Sequence, residues 1–289
     1  MNKIEVLNFG SLNIDHVYQV PHFVAPKETL SCMDYAQFAG GKGLNQSVAL
    51  ARAGVRTAHA GKIGADGAFL EETLKLAGVD TRFLIHGTLP TGHAIIQVDR
   101  EGQNCILLYP GANRAVAREE IDSVLDRLEP GTWILLQNEI NEIPYLMREA
   151  KAHGFRIAIN PAPCGPEVSE YPLELADVLF VNEIEAAQLS GVNGMPDEIL
   201  DVLVKRFPEC EIVMTLGGDG QPVVGDVHVD ILLLEAGQVS LQNKVVAVLL
   251  DVGLELAEGV VGEERALQLV KIVERIEIGN IVIFTCIRD

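Results

Sequence analysis

The pattern of hydrophobic and polar positions changes along the chain and predicts two kinds of segment. Residues 3–10 form an apolar run that ends in glycine, which is typical of a buried strand. Segments of mixed or alternating polarity, typical of a partly solvated antiparallel sheet, follow at residues 29–38, 91–99 and 105–109. We therefore expect a small antiparallel β lid, inserted at about residues 14–38 and 91–110, on a larger core.

From residue 118 onward, amphipathic helical segments alternate with short buried strands. The predicted helices are 118–128, 145–153, 183–190 and 197–207, and the predicted strands are 132–136, 156–160, 178–181 and 212–216. Gly154 and Gly191 follow two of the helices, where glycine is a common C-terminal cap. This alternation predicts an α/β fold with a doubly wound, mainly parallel sheet and helices on both faces. We expect residues 1–289 to form one such domain.

The most informative segment, residues 39–54, reads A-G-G-K-G-L-N-Q-S-V-A-L-A-R-A-G. Glycines let the backbone approach a ligand closely, and the helix start behind them offers N–H groups to an anionic or polyhydroxylated ligand. Asn45 and Gln46 would lie on the first turn, where their amides could bind hydroxyls. The segment alone leaves a strand-to-helix turn without a ligand as the alternative.

Polar residues follow several predicted strands, at the edge where doubly wound sheets bind their ligands. Asn13 and Asp15 alternate after the first strand, and an amide beside a carboxylate suits vicinal hydroxyls, although an Asx-capped turn is the alternative. Glu139 follows another strand and fits either a ligand contact or a solvated helix start. Asn182 and Glu185 fit either a magnesium–phosphate role or a helix N-cap with its capping-box glutamate.

Composition excludes several classes of partner. The formal net charge of -19 makes nucleic acid and anionic membrane surfaces poor partners. Mean hydropathy is +0.22, but the longest apolar runs are too short to span a bilayer. The 5 cysteines contain no C-x-x-C pair, so reduced thiols are expected rather than a disulfide framework or a zinc site. With a strand predicted directly at the N-terminus and no signal peptide, we expect a cytoplasmic protein.

Several short motifs occur in a recognisable order. They are G-S-L-N-I-D at 10–15, the glycine-rich segment at 39–54, G-K-I-G-A-D-G at 61–67, N-P-A-P at 160–163, N-E-I-E at 182–185 and T-L-G-G-D-G at 215–220. Together they resemble the ribokinase-like (PfkB) carbohydrate kinases over about residues 3–222. The resemblance implies the ribokinase-like fold and an ATP-dependent kinase that phosphorylates a sugar such as ribose.

The resemblance also implies roles for individual residues. The sugar would be bound by Asn13, Asp15, Gly41, Lys42, Asn45 and Glu139. The nucleotide would be bound by Asn182, Thr215, Gly217 and Gly220, and Glu185 would hold Mg²⁺ through water. K⁺ is a further implied cofactor, although its ligands would lie around a motif that this chain lacks. A homodimer through the lid strands is the implied assembly.

The resemblance fails where the family keeps its catalytic aspartate. Such kinases carry a G-A-G-D motif about thirty residues after the last motif above, with an anion hole of backbone amides and the aspartate as base. This sequence contains no G-A-G-D, and Asp251 is the only nearby carboxylate and a weak candidate for the base. The alternative function is therefore a catalytically impaired pseudokinase that binds sugar without phosphorylating it.

The segment 223–289 is atypical in other ways. Residues 263–278 alternate apolar and charged positions and predict an amphipathic helix, and residues 281–287 predict a strand. The residues leave three explanations open: a degenerate paralogue, a frameshifted or rearranged gene, and an imperfectly assigned sequence.

Overall fold

The large sheet is the centre of the fold. The computed structural model describes residues 3–215 and the backbone of four later strands at 223–225, 245–247, 273–278 and 281–286. Numbered along the chain, the strands of the large sheet are β1 (Val6–Phe9), β4 (Thr57–Ile63), β5 (Asp80–His86), β8 (Trp133–Gln137), β9 (Arg156–Asn160), β10 (Val178–Asn182), β11 (Glu211–Thr215) and β12 (Val223–Gly225). Their order is β12-β11-β10-β9-β8-β1-β4-β5, and all pairs are parallel except β11 with β12. The predicted doubly wound, mainly parallel sheet is confirmed.

Helices cover both faces of this sheet. In the described part of the chain they are α1 (Lys42–Arg52), α2 (Ala68–Leu76), α3 (Arg118–Leu125), α4 (Ile143–Ala152), α5 (Glu183–Ser190) and α6 (Pro196–Arg206). One face of β1 buries Leu7 and Phe9 with the apolar residues of α3 to α6. Asn8, between them, contacts Gly43 of α1 instead. Because alternate strand residues point to opposite faces, α1 lies on the other side of the sheet.

The small sheet consists of β2 (Asn13–Gln19), β3 (Asp34–Gly40), β6 (Gly92–Val98) and β7 (Asn104–Tyr109), in the order β3-β2-β6-β7. Its strands lie close to the segments predicted for the lid, although β2 begins at Asn13 and β3 ends at Gly40, just outside the predicted residues 14–38. The sheet is mixed rather than antiparallel, because β2 and β6 run parallel. Asn13 pairs with Gly92, so both strands leave the core at the same point and in the same direction.

Several elements match their predicted bounds closely. β9 spans the predicted residues 156–160, and α5 spans the predicted residues 183–190. Gly191 ends α5 with φ 72, a left-handed conformation that glycine adopts without steric cost. A buried apolar strand and a capped helix are local features, which explains this agreement.

The structure contradicts the last part of the helix predicted at residues 263–278, namely residues 273–278, while residues 263–272 lie outside the described residues. Strand β14 (Val273–Ile278) pairs antiparallel with β15 (Ile281–Cys286), which in turn pairs parallel with β13 (Val245–Ala247). The predicted strand at 281–287 is confirmed. Residues 273–278 read V-E-R-I-E-I, and pairing with β15 holds this short segment in an extended conformation.

Each helix in the described part of the chain is too short or too polar to cross a bilayer.

Candidate functional site

The predicted site residues lie in two groups along one edge of the large sheet. The group named the β1 cluster here follows β1 and β8 and comprises Ser11, Asn13, Asp15, Lys42 and Glu139. The β10 cluster comprises Asn182, Glu185 and Thr215, and Asn182 and Thr215 end β10 and β11 directly opposite each other. Three strand spacings, or about 14 Å, separate β1 from β10. Two separate groups of polar side chains therefore lie along this edge.

Glu139 contacts several other residues of the β1 cluster. Its Oε2 accepts hydrogen bonds from the backbone N–H of Lys42, at 3.1 Å, and from the hydroxyl of Ser11. Its Oε1 lies 3.9 Å from Nζ of Lys42. These contacts join the loop after β8 to the glycine-rich turn, almost 100 residues away in sequence, so the two segments form one wall.

The start of α1 differs from its predicted role. Its first N–H groups, on Lys42, Gly43 and Leu44, donate to Glu139 Oε2, Ser11 Oγ and Ser11 O. The prediction that this helix start offers its N–H groups to a ligand is therefore wrong for these three donors. Glu139 satisfies the first donor, and Ser11 satisfies the other two through its hydroxyl and its carbonyl, because the turn after β1 packs against the helix.

Gly41 provides the close approach that makes this packing possible. It caps α1 with φ 96, a conformation that side chains oppose. A Cβ atom built there would lie 3.0 Å from the backbone nitrogen of Asn13 and 3.1 Å from Ser11 O. Any other residue would therefore push the glycine-rich turn away from Asn13.

Asp15 is a carboxylate in an unusual environment. Burial, and then the charge of Glu139, raise its pKa to about 6. Asn13 and Asp15 are alternate residues of β2, so their side chains project from the same face of the small sheet. Two carboxylates and an amide thus converge near the glycine-rich turn, an arrangement suited to several hydroxyls.

The structure adds Asn113, a residue that the sequence patterns did not indicate. Asn113 lies in a short 3-10 turn after β7 (Gly111–Arg114), and its side chain is 2% exposed. It bonds to the backbone of Leu12 and donates to Oδ1 of Asn13 at 2.8 Å. This contact joins residues 100 positions apart, so no local pattern could have revealed it.

Asn45 and Gln46, the two amide residues at the start of α1, lie in different environments. Asn45 stays partly exposed, as predicted for a hydroxyl contact. Gln46 is 5% exposed, and its Oε1 accepts a hydrogen bond from Gln137 at 2.6 Å. Gln137 also donates to Asn8 in the same buried network. The expectation that Gln46 binds hydroxyls is wrong, because its amide points into the core.

In the β10 cluster, Asn182 and Glu185 form a complete capping box on α5. The amide of Asn182 accepts from the N–H of Glu185 at 2.9 Å, and Glu185 Oε2 accepts from the N–H of Asn182 at 3.0 Å. The capping alternative left open by the sequence is therefore real. It does not conflict with a ligand role, because it fixes both side chains at the strand end.

The donor chemistry of this cluster fits a hydrated Mg²⁺ ion. Within the described residues there is no cluster of three or more histidine, cysteine, aspartate or glutamate side chains that could hold a metal. Mg²⁺ keeps most of its water and needs only one or two carboxylates. The single carboxylate of Glu185, fixed by the capping box, matches that requirement.

Thr215 ends β11 and is partly buried. Gly217, Gly220 and Asp251 lie outside the described residues.

Comparisons with known proteins agree with this geometry. The family model described as "pfkB family carbohydrate kinase" matches residues 3–231. A ribokinase of Staphylococcus aureus (strain COL) is 38% identical over 229 residues, which cover 76% of this chain and 74% of that protein. A ribokinase of Haemophilus influenzae is 35% identical over 219 residues, covering 73% of this chain and 71% of that protein.

A solved structure supports the same relationship. The crystal structure of ribokinase from Cryptococcus neoformans in complex with ADP aligns with a TM-score of 0.65 at 31% identity. The alignment covers 83% of this chain and 81% of that one. From the family match, the identities and the shared fold, the chain belongs to the pfkB family of carbohydrate kinases, which are phosphotransferases acting on sugars.

Proposed function

We propose that this protein transfers the γ-phosphoryl group of ATP to a hydroxyl of a sugar such as ribose. The observation that carries the proposal is the β1 cluster, in which the Asp15 and Glu139 carboxylates and the Asn13 amide converge beside Gly41. Sugars present many hydroxyls, each able to donate and accept hydrogen bonds, and this set supplies both kinds of partner. The two ribokinases named above support the choice of ribose.

Each residue of the β1 cluster has a distinct role in this proposal. Asp15 and Glu139 accept hydrogen bonds from sugar hydroxyls, and Asn13 and Asn45 contribute amides. Gly41 brings the backbone close to the sugar. Lys42 supplies positive charge at the start of α1, near Glu139. Because the Glu139 carboxylate accepts hydrogen bonds from the Ser11 hydroxyl and the Lys42 N–H, these residues are held in place, so the sugar hydroxyl can be positioned for phosphoryl transfer, which depends mainly on positioning and charge.

The β10 cluster is the proposed phosphate end of the site. Asn182 and Thr215 lie side by side at adjacent strand ends, and the proposal adds Gly217 and Gly220 from the glycine turn that follows. Bound Mg²⁺, held through water by Glu185, would neutralise phosphate charge. The ADP in the related Cryptococcus structure supports a nucleotide in a fold of this kind. The separation of about 14 Å between strands β1 and β10 leaves room for the phosphates between sugar and nucleotide.

The proposal also requires a group that accepts the proton of the sugar hydroxyl. The sequence has no G-A-G-D, and Asp251 is the carboxylate that we propose to test as the base. K⁺ is included in the assay because the family resemblance implies it. The alternative of a sugar-binding protein without kinase activity has no support from the comparisons, since the relatives named above are ribokinases.

The test measures ADP release with ATP, Mg²⁺, K⁺ and ribose, together with calorimetric titration of ribose alone. Ribose-dependent ADP release that Asp251→Asn abolishes is the expected result. Ribose binding without ADP release would contradict the kinase proposal and favour the alternative. Absence of both would contradict the choice of ribose.

We also propose that two copies of the chain associate through the small sheet. All six residues of β7 are exposed although five of them are apolar or aromatic, namely Cys105, Ile106, Leu107, Leu108 and Tyr109. β7 is also the edge strand of its sheet. Unpaired edge strands with exposed apolar side chains commonly mark association surfaces.

A further inference from the structure

The orientation of the Asn113 side chain is determined by the backbone of Leu12. The N–H of Leu12 donates to Oδ1 of Asn113 at 3.0 Å, and Nδ2 of Asn113 donates to the carbonyl of Leu12 at 3.1 Å. A backbone N–H can only donate and a carbonyl can only accept. The amide of Asn113 therefore cannot be reversed without breaking both bonds.

The fixed orientation of Asn113 also determines the orientation of the Asn13 side chain. The second hydrogen on Nδ2 of Asn113 is directed at Oδ1 of Asn13, 2.8 Å away. Nδ2 of Asn113 has no lone pair to offer, so Asn13 must present its oxygen to Asn113. Its own Nδ2 group is then the part that remains for a ligand.

Gly92 leaves the space that this bond requires. It begins β6 opposite Asn13. A Cβ atom at Gly92 would lie 2.2 Å from Nδ2 of Asn113 and 2.4 Å from Oδ1 of Asn13. The hydrogen bond and any side chain at position 92 therefore exclude each other.

We propose that Asn113 is a positioning residue that makes Asn13 a hydrogen-bond donor in the sugar site. The inference rests on the proposed function, because it assumes that Asn13 and Asp15 contact the sugar. The site then offers an N–H donor from Asn13 and a carboxylate acceptor from Asp15 on the same face of β2. It selects a pair of neighbouring hydroxyls of which one accepts from Asn13 and the other donates to Asp15.

The Asn113→Asp variant tests this role. The aspartate can still accept from Leu12 N–H but cannot donate, so Asn13 must turn its Nδ2 inward and present its oxygen to the sugar. Asn141 offers a matched control, because it bonds in the same way to the backbone N–H and carbonyl of Val116. Asn141→Asp removes an equivalent donor without any described bond to Asn13.

Calorimetry with D-ribose and thermal melting compare these variants with the unmodified protein. Both substitutions should lower the melting temperature, but only Asn113→Asp should weaken ribose binding, at least about tenfold, or roughly 1.4 kcal/mol. Equal ribose affinity in Asn113→Asp and the unmodified protein would overturn the proposal, and so would an equal loss in Asn141→Asp. If Asn113→Asp does not fold, Gly92→Ala breaks the same bond and should cause the same loss.

A measurement without sugar separates this inference from the proposed function. If the unmodified protein neither binds nor phosphorylates ribose, the proposed substrate fails, and the side-chain amide protons are then followed by NMR. The inference predicts that the Asn113 amide protons exchange slowly with water, because both are hydrogen-bonded, whereas those of Asn13 exchange fast. Protected Asn13 and unprotected Asn113 protons would show the opposite orientation and overturn it.

Discussion

At the residue scale, the titration of Asp15 predicts how sugar binding depends on pH. The pKa of Asp15 is raised to about 6 by burial and by the charge of Glu139, and the ionised form is the better acceptor for hydroxyl hydrogens. Ribose affinity should therefore fall as the pH is lowered through about 6. Calorimetric titrations of ribose between pH 5 and pH 8, at roughly unit intervals, measure this dependence.

Folding stability should fall as the pH rises towards about 6, whereas ribose affinity should rise. Because the folded pKa of Asp15 lies above its ordinary value of 3.8, the folded protein binds this proton more tightly. The contribution of Asp15 to stability is therefore greatest below pH 3.8 and is lost as the pH rises to about 6. The Asp15→Asn variant should remove this pH dependence of ribose affinity and this pH dependence of folding stability. A pH-independent ribose affinity in the unmodified protein would contradict the role of Asp15.

The residues of the proposed sugar site differ in how far sequence could predict them. Asn13, Asp15 and Glu139 follow strand ends, and strand ends can be read from local patterns. The amide direction of Gln46 and the presence of Asn113 depend on Gln137 and Leu12, which are distant in sequence. Hydrogen-bond partners made by tertiary packing leave no local signal, so these two features emerged only from the structure.

At the element scale, the capping box of α5 allows its structural and metal roles to be separated. Glu185→Gln keeps an oxygen that accepts the N–H of Asn182, since glutamine also serves at this position of a capping box. The melting temperature should therefore change little. The loss of charge should raise the Mg²⁺ concentration needed for half-maximal activity by roughly tenfold, as expected for a residue that orients metal-bound water.

A second helix provides the control for this experiment. Glu198 occupies the same position on α6, where its Oε2 accepts the N–H of Met195 at 3.1 Å. Glu198→Gln should leave the Mg²⁺ dependence unchanged. If Glu185→Gln behaves in the same way, Glu185 is a capping residue alone.

Elements with a strong local signal were predicted well, and those with a weak one were not. β9 is a short apolar strand, and α5 has a cap at each end. By contrast, residues 273–278 mix apolar and charged side chains without a regular period, and pairing with β15 makes them a strand. The parallel pairing of β2 with β6 likewise depends on where both strands leave the core, and the pattern of apolar and polar residues within a strand does not indicate this.

At the scale of the whole molecule, the β1 cluster and the small sheet share one boundary. Asn13 begins β2, Gly40 ends β3 and Gly92 begins β6, and the three residues are paired side by side. Asn113 follows β7 and bonds to Asn13. Every strand of the small sheet therefore leaves or rejoins the core beside the β1 cluster, so association through this sheet would bear directly on the site.

The exposed edge of the small sheet predicts a homodimer. Leu107 of β7 is 68% exposed in the single chain, and the sheet ends at this strand. Burying such residues against a second copy removes apolar surface from water, and a stable interface of about 1,600 Å² requires a contiguous patch of this kind. Light scattering coupled to size exclusion should give a mass near twice the 31.3 kDa of the chain.

Substitution of Leu107 locates the interface. Leu107→Glu places a charge on the association surface, where its desolvation is unfavourable, and should shift the protein to the mass of one chain. Leu76 is 81% exposed at the end of α2, so Leu76→Glu adds the same charge at another exposed leucine and should leave the mass unchanged. A single-chain mass for the unmodified protein at micromolar concentration would contradict the dimer. A doubled mass that Leu107→Glu does not alter would instead place the interface away from β7.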